Sequence, residues 1–140
     1  MNDETIFQKI LKKEVPADIV AEDDGALAFM DVTPVSPGHV LVIPKGKTGQ
    51  NLYDTDTDAM APVWRMVQSI APRVARALGA DGFNIIMNNK AAAGQRVFSP
   101  HVHIIPRFEG DGLKSWPKIE RRAEEISADA AKIRDALKES

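Results

Sequence analysis

Apolar positions recur along this chain first at helical spacing and then in strand-like runs, and the changes of period mark its elements. Ile6, Phe7, Ile10 and Leu11 keep helical spacing over residues 5–13, which predicts a short amphipathic helix ended by Glu14-Val15-Pro16. Residues 19–21 and 26–30 read as two strands around the turn Glu22-Asp23-Asp24-Gly25. Asp31 follows the second strand directly, ahead of a corner at residues 34–38. Residues 39–43 form a third, buried-looking strand, stopped by Pro44-Lys45-Gly46-Lys47. Met60, Val63, Val67, Ile70, Val74 and Leu78 then keep the helical period from Thr57 to Leu78. Pro62 fits the first turn of that helix, Pro72 is expected to kink it, and Gly79 closes it. Strands are expected over residues 83–87 and 96–106, and a charged, alanine-rich helix over 118–137. No repeat or linker divides residues 1–140, so the expectation is a single α+β domain. Its architecture would be an antiparallel β-sheet with a central α-helix and a C-terminal helix.

Composition narrows the class. A chain of 140 residues with 44% hydrophobic content can bury a real core. Its net charge of −2 and lack of a basic stripe give no expectation of nucleic-acid binding. The absence of cysteine excludes disulfides and thiolate zinc sites. The polar, acidic start is unlike a signal peptide and no apolar run is long enough to span a membrane, so a cytoplasmic protein is expected.

The chemistry concentrates at Ser99-Pro100-His101-Val102-His103-Ile104-Ile105-Pro106-Arg107. Alternation along a strand would put Ser99, His101 and His103 on one face, with the imidazoles about 7 Å apart and able to grip one phosphate-sized group. Upstream, residues 88–95 (Asn-Asn-Lys-Ala-Ala-Ala-Gly-Gln) form a small polar loop able to turn backbone N–H groups towards an anion. A strand with two chance surface histidines is the bland alternative. His39 could likewise be a hydrogen-bonded core histidine, Asp31 a cap on the Thr33-Pro34 turn, and Arg96 a solvated edge charge.

These motifs, in this order, resemble the histidine triad (HIT) superfamily, nearest its Hint-like branch. The likeness runs from Ile6-Phe7 through Ala28-Phe29-Met30-Asp31, residues 37–45 (Pro-Gly-His-Val-Leu-Val-Ile-Pro-Lys) and Gly82-Phe83-Asn84 to Arg107. Gly94, Gln95 and Val97 match the loop before the triad, and His103-Ile104-Ile105-Pro106-Arg107 matches its ending. The resemblance implies a nucleotide hydrolase or transferase that cleaves at the α-phosphate of purine nucleoside phosphoramidates or dinucleotide-type anhydrides. The reaction would pass through a nucleotidyl-histidine intermediate. It also implies a homodimer, with neither cofactor nor metal.

By the same resemblance Ser99, His101 and His103 occupy the three triad positions, His101 being the nucleophile and His39 supporting the triad face. His103 and the N–H groups near Gln95 would hold the phosphate oxygens with Asn88 and Val97 beside them, Asp31 would take the ribose hydroxyls, and Ile6, Phe7, Ile10, Phe29 and Val32 would form the base slot. Three departures stand out. Ser99 replaces the first histidine, which makes a nucleotide-binding module with reduced or lost catalysis the alternative reading. Arg96 stands where Hint-like members commonly carry a hydroxyl thought to help protonate the leaving group. Thr5 and Gln8 replace two cysteines of a zinc site found in many bacterial members. A zinc site built from His39, His101 and His103 is a third reading.

Overall fold

The computed structural model describes residues 4–139. Five strands, β1 (Ile19–Glu22), β2 (Ala26–Met30), β3 (Val40–Pro44), β4 (Gly82–Ile86) and β5 (Val102–Arg107), form one sheet in the order β1-β2-β3-β5-β4. Every neighbouring pair is antiparallel. The helices are α1 (Ile6–Leu11), α2 (Thr57–Ala77) and α3 (Ala123–Leu137), with 3-10 turns at Leu52–Asp54 and Ala91–Ala93. The α+β antiparallel architecture expected from the sequence is the one observed.

Period-two alternation sorts the sheet residues onto two faces. Ala26, Ala28, Val40, Val42, Val102 and Ile104 point to one face and pack against Met60, Val63, Met66, Val67 and Ala71 of α2. Small residues on β2 let the long helix approach closely. Leu27, Phe29, Leu41 and Ile43 point to the other face and meet Phe7 and Ile10 of α1. With both faces covered, β2 and β3 are buried almost throughout, which is why they read as unbroken apolar runs.

Two expectations change. The motif strand begins at Val102 rather than Arg96. Pro100 has no N–H for a ladder, and the Ser99 carbonyl is taken by the His101 ring instead. Helix α2 spans Thr57–Ala77 with Pro62 and Pro72 inside it, close to the expected range. Helix α3 starts at Ala123, past Pro117, where Glu124 and Glu125 fall in its first turn, and it buries none of its own side chains.

Candidate active site

The sheet face that carries α1 also carries the chemistry, because the same alternation extends past the strand ends. Asp31 continues the Leu27, Phe29 series, and its N–H donates to the His39 carbonyl at 3.0 Å, prolonging the β2–β3 ladder. His39 continues the Leu41, Ile43 series, and His103 lies directly across from Leu41. Together with His101 they border a cavity of about 500 Å³. Its apolar lining includes Ile6, Phe7, Ile10, Val15, Phe29, Val32, Leu41 and Val97; its polar lining includes Asp31, Thr33, His39, Asn88, Arg96, His101 and His103, with Gly94. That size and mixture suit a small ligand with a flat apolar part and a charged part. Phe7 closes edge-on to His101 at 4.8 Å between ring centres.

Hydrogen bonds fix the proton on each ring. The Val35 N–H donates to His39 Nδ1 at 3.1 Å, so the neutral His39 ring carries its proton on Nε2. That Nε2–H donates to His103 Nδ1 at 2.9 Å and also lies 3.4 Å from Asp31 Oδ2. His103 is therefore protonated on Nε2, which is left as a free donor. His101 donates its Nδ1–H to the Ser99 carbonyl at 2.7 Å, so its Nε2 holds an unshared lone pair. Burial keeps all three rings neutral: it pushes His39 and His101 below the ordinary histidine value, against the pull of Asp31 on both and of the Ser99 carbonyl on His101. His103 is pushed down to about 4, by burial first and then by the neighbouring His101 and His39.

The loop before the motif is held from behind. Gln95 is buried and its side chain does not line the cavity. Its Oε1 accepts from the Lys90 N–H at 2.7 Å and from Asn51 Nδ2 at 3.2 Å, while its Nε2 donates to the carbonyls of Gln50 and Val97 at 2.7 and 3.1 Å. Gln95 thus fixes the loop from behind, and what this stretch can offer a phosphate is the backbone N–H groups near it. Lys90 and Gly94 have φ of 76° and 97°, a left-handed geometry that only Gly94 adopts without strain. Val35, Asn51 and Lys90 had not been singled out in the sequence. Their partners lie across turns or far along the chain, where no spacing rule connects them.

Ser99 is also placed differently from expectation. Its side chain faces away from the histidines into a separate cavity of about 230 Å³ bordered by Gln8, Pro44, Thr48 and Pro100. There Ser99 Oγ is hydrogen-bonded to Thr5 Oγ1, which in turn accepts the Gln8 N–H and caps α1. The departures at Thr5, Gln8 and Ser99 are therefore neighbours, Arg96 lies apart on the larger cavity, and only the Ser99 carbonyl reaches His101. Asp31 does cap its turn, with Oδ1 accepting from the Thr33 N–H at 2.8 Å, while Oδ2 stays on the His39 side. Among the described residues the trio close enough to share an ion is Asp31, His39 and His103, with ligand atoms within 4.8 Å of one another, and not the three histidines. Metal binding there would break the His39–His103 hydrogen bond that sets both tautomers.

The sequence matches the HIT domain over residues 12–110, and the chain belongs to the HIT family, whose members are generally nucleotide-binding hydrolases. It is 35% identical over 133 residues to the adenylylsulfatase HINT3 of Arabidopsis thaliana, spanning 95% of this chain and 67% of that protein. The fold matches a HIT family protein from Bacillus subtilis with a TM-score of 0.85 at 34% identity, covering 95% of this chain and 96% of that one. A histidine triad nucleotide-binding protein from Candida albicans matches with a TM-score of 0.82 at 28% identity, over 96% and 97% of the two chains. Among the described residues no helix is long and apolar enough to cross a membrane.

Proposed function

We propose that this chain is a nucleotide hydrolase or transferase acting at the α-phosphate of purine nucleoside phosphoramidates or dinucleotide-type anhydrides, with His101 as the nucleophile. One observation carries the reading: His101 spends Nδ1–H on the Ser99 carbonyl at 2.7 Å and keeps a bare Nε2 in a cavity of nucleotide size. The likeness to an adenylylsulfatase adds support.

In this reading Nε2 attacks the α-phosphorus while the bond to the leaving group breaks. Water then attacks the phosphorus of the nucleotidyl-His101 adduct and returns the electron pair to Nε2. A neutral imidazole is nucleophilic without first losing a proton, which is what burial provides here. His103 offers its Nε2–H to a phosphate oxygen, and its Nδ1 is braced by His39. Asn88 and the backbone around Gly94 complete the phosphate end, Asp31 takes the ribose, and Ile6, Phe7, Ile10, Phe29 and Val32 hold the base with little hydrogen-bond readout. Donors already in place meet the developing charge without a metal.

The binding-module alternative rests on Ser99 and Arg96 both standing off the family pattern; the direction of the Ser99 side chain weakens the first ground, because the carbonyl that orients His101 survives the change. A homodimer fits the free edge of β4, its exposed Phe83 and Ile85, and the bare Ile126, Ile133 and Leu137 of α3. Sedimentation should give twice the mass of one chain; a monomer at micromolar concentration would refute pairing. A nucleotide substrate also fits a cytoplasmic setting. The function itself is tested by turnover of a purine nucleoside phosphoramidate with chelator present. Wild type should be active and His101→Ala inactive, and equal rates would remove His101 as nucleophile.

A further inference from the structure

Arg96 is the one permanently cationic side chain bordering the cavity among the described residues. It is exposed, and no hydrogen bond or ion pair to another described residue engages its guanidinium. The remaining charge at that border is the Asp31 carboxylate, and the three imidazoles are neutral through burial. A nucleotide brings several negative charges into this space. Arg96 is the only full positive charge there to meet them.

We propose that Arg96 determines leaving-group specificity and selects nucleotide anhydrides whose leaving group departs as an oxyanion, a sulfate or a phosphate, over phosphoramidates. The inference rests on the nucleotide-hydrolase reading above and narrows its substrate class. The two leaving groups make opposite demands. When His101 Nε2 bonds to phosphorus and the bridging P–O bond of an anhydride breaks, the electron pair stays on the departing sulfate or phosphate oxygen. That group needs positive charge nearby and no proton. When a P–N bond breaks, the amine takes the electron pair and needs a proton to leave. A hydroxyl can pass on such a proton, whereas a guanidinium holds its own and instead grips two oxygens with paired N–H donors. In both cases water completes the cycle by attacking the adduct, giving the nucleoside monophosphate and restoring Nε2.

The test measures kcat/KM for adenylyl sulfate, diadenosine tetraphosphate and adenosine 5′-phosphoramidate with wild type, Arg96→Ala, Arg96→Lys and His101→Ala. Arg96→Ala should lose roughly 10- to 10²-fold on one or both anhydrides, the scale of one charged hydrogen-bonded contact, and less than about threefold on the phosphoramidate. Arg96→Lys should recover part of the loss, and the anhydride that suffers more identifies sulfate or phosphate as the leaving group. Equal losses on all three substrates, or no loss on any, would overturn the proposal while leaving a His101-dependent hydrolase in place. Wild type inactive on all three, or activity indifferent to His101→Ala, would overturn the hydrolase reading and this inference together.

Discussion

Replacing Ser99 with alanine separates the two parts of that residue, a hydroxyl that faces Thr5 and a carbonyl that holds His101. The substitution removes the Ser99–Thr5 hydrogen bond in a nearly buried setting and leaves the 2.7 Å bond from His101 Nδ1 to the carbonyl intact. A neutral hydrogen bond of this kind contributes about 0.5–1.5 kcal/mol, and Thr5 keeps the Gln8 N–H as a partner, so the cost should be near 1 kcal/mol. For a chain of this length that is a fall in Tm of roughly 2–6 °C. The rate should change less than about twofold, since neither tautomer nor lone pair of His101 is touched. Ser99→His should be similarly quiet, because the new imidazole would point towards the cavity beside Gln8 and Thr48 instead of the one bordered by His101. Thermal melts with steady-state turnover and its pH profile decide the matter. A tenfold loss in folded Ser99→Ala would refute the reasoning, as would a gain in Ser99→His of roughly 10²–10⁴-fold, the size of one acid–base group.

Two further outcomes follow from the buried network. Gln95→Ala should cost roughly 1–3 kcal/mol, because it strands the Lys90 N–H and Asn51 Nδ2, and it should lower kcat/KM although the side chain lies outside the cavity; unchanged urea denaturation would contradict this. Stability should also fall as pH drops from 6.5 to about 4. Over that range the unfolded chain takes up a proton that folded His103 refuses, a difference on the order of 3 kcal/mol, and the loss levels off below pH 4 for this group. His103→Gln should flatten the slope in urea titrations at successive pH values, and an unaltered slope would sink the assignment.

Much of this was legible because strands alternate. Helix α2, strands β2 to β4 and the shared direction of His101 and His103 follow from local period, whereas the pairing that brings Asp31 and His39 to the same face comes from the sheet register. The strand from Arg96 was over-extended because Ser99 and His101 fit the alternation, while the competing use of the Ser99 carbonyl by a side chain leaves no trace in spacing. The direction of Ser99 was hidden for the same reason: Thr5 is 94 positions away, and only the fold brings them together. Gln95 enters the resemblance only through the N–H groups near it. Its burial depends on Asn51 and Gln50, a long-range pairing that no motif encodes.

Covalent attachment of the nucleotide at His101 is the step that separates a nucleotidyl-histidine enzyme from every other reading of the site. Rapid quenching into base during turnover of a purine nucleotide substrate, followed by digestion and fragment mass spectrometry, should find one nucleoside monophosphate on His101, at up to one per active site in the first turnover. The adduct should be absent from His101→Ala and present in Ser99→Ala. A nucleotide on His103 or His39, or turnover with no adduct at any time point, would contradict it.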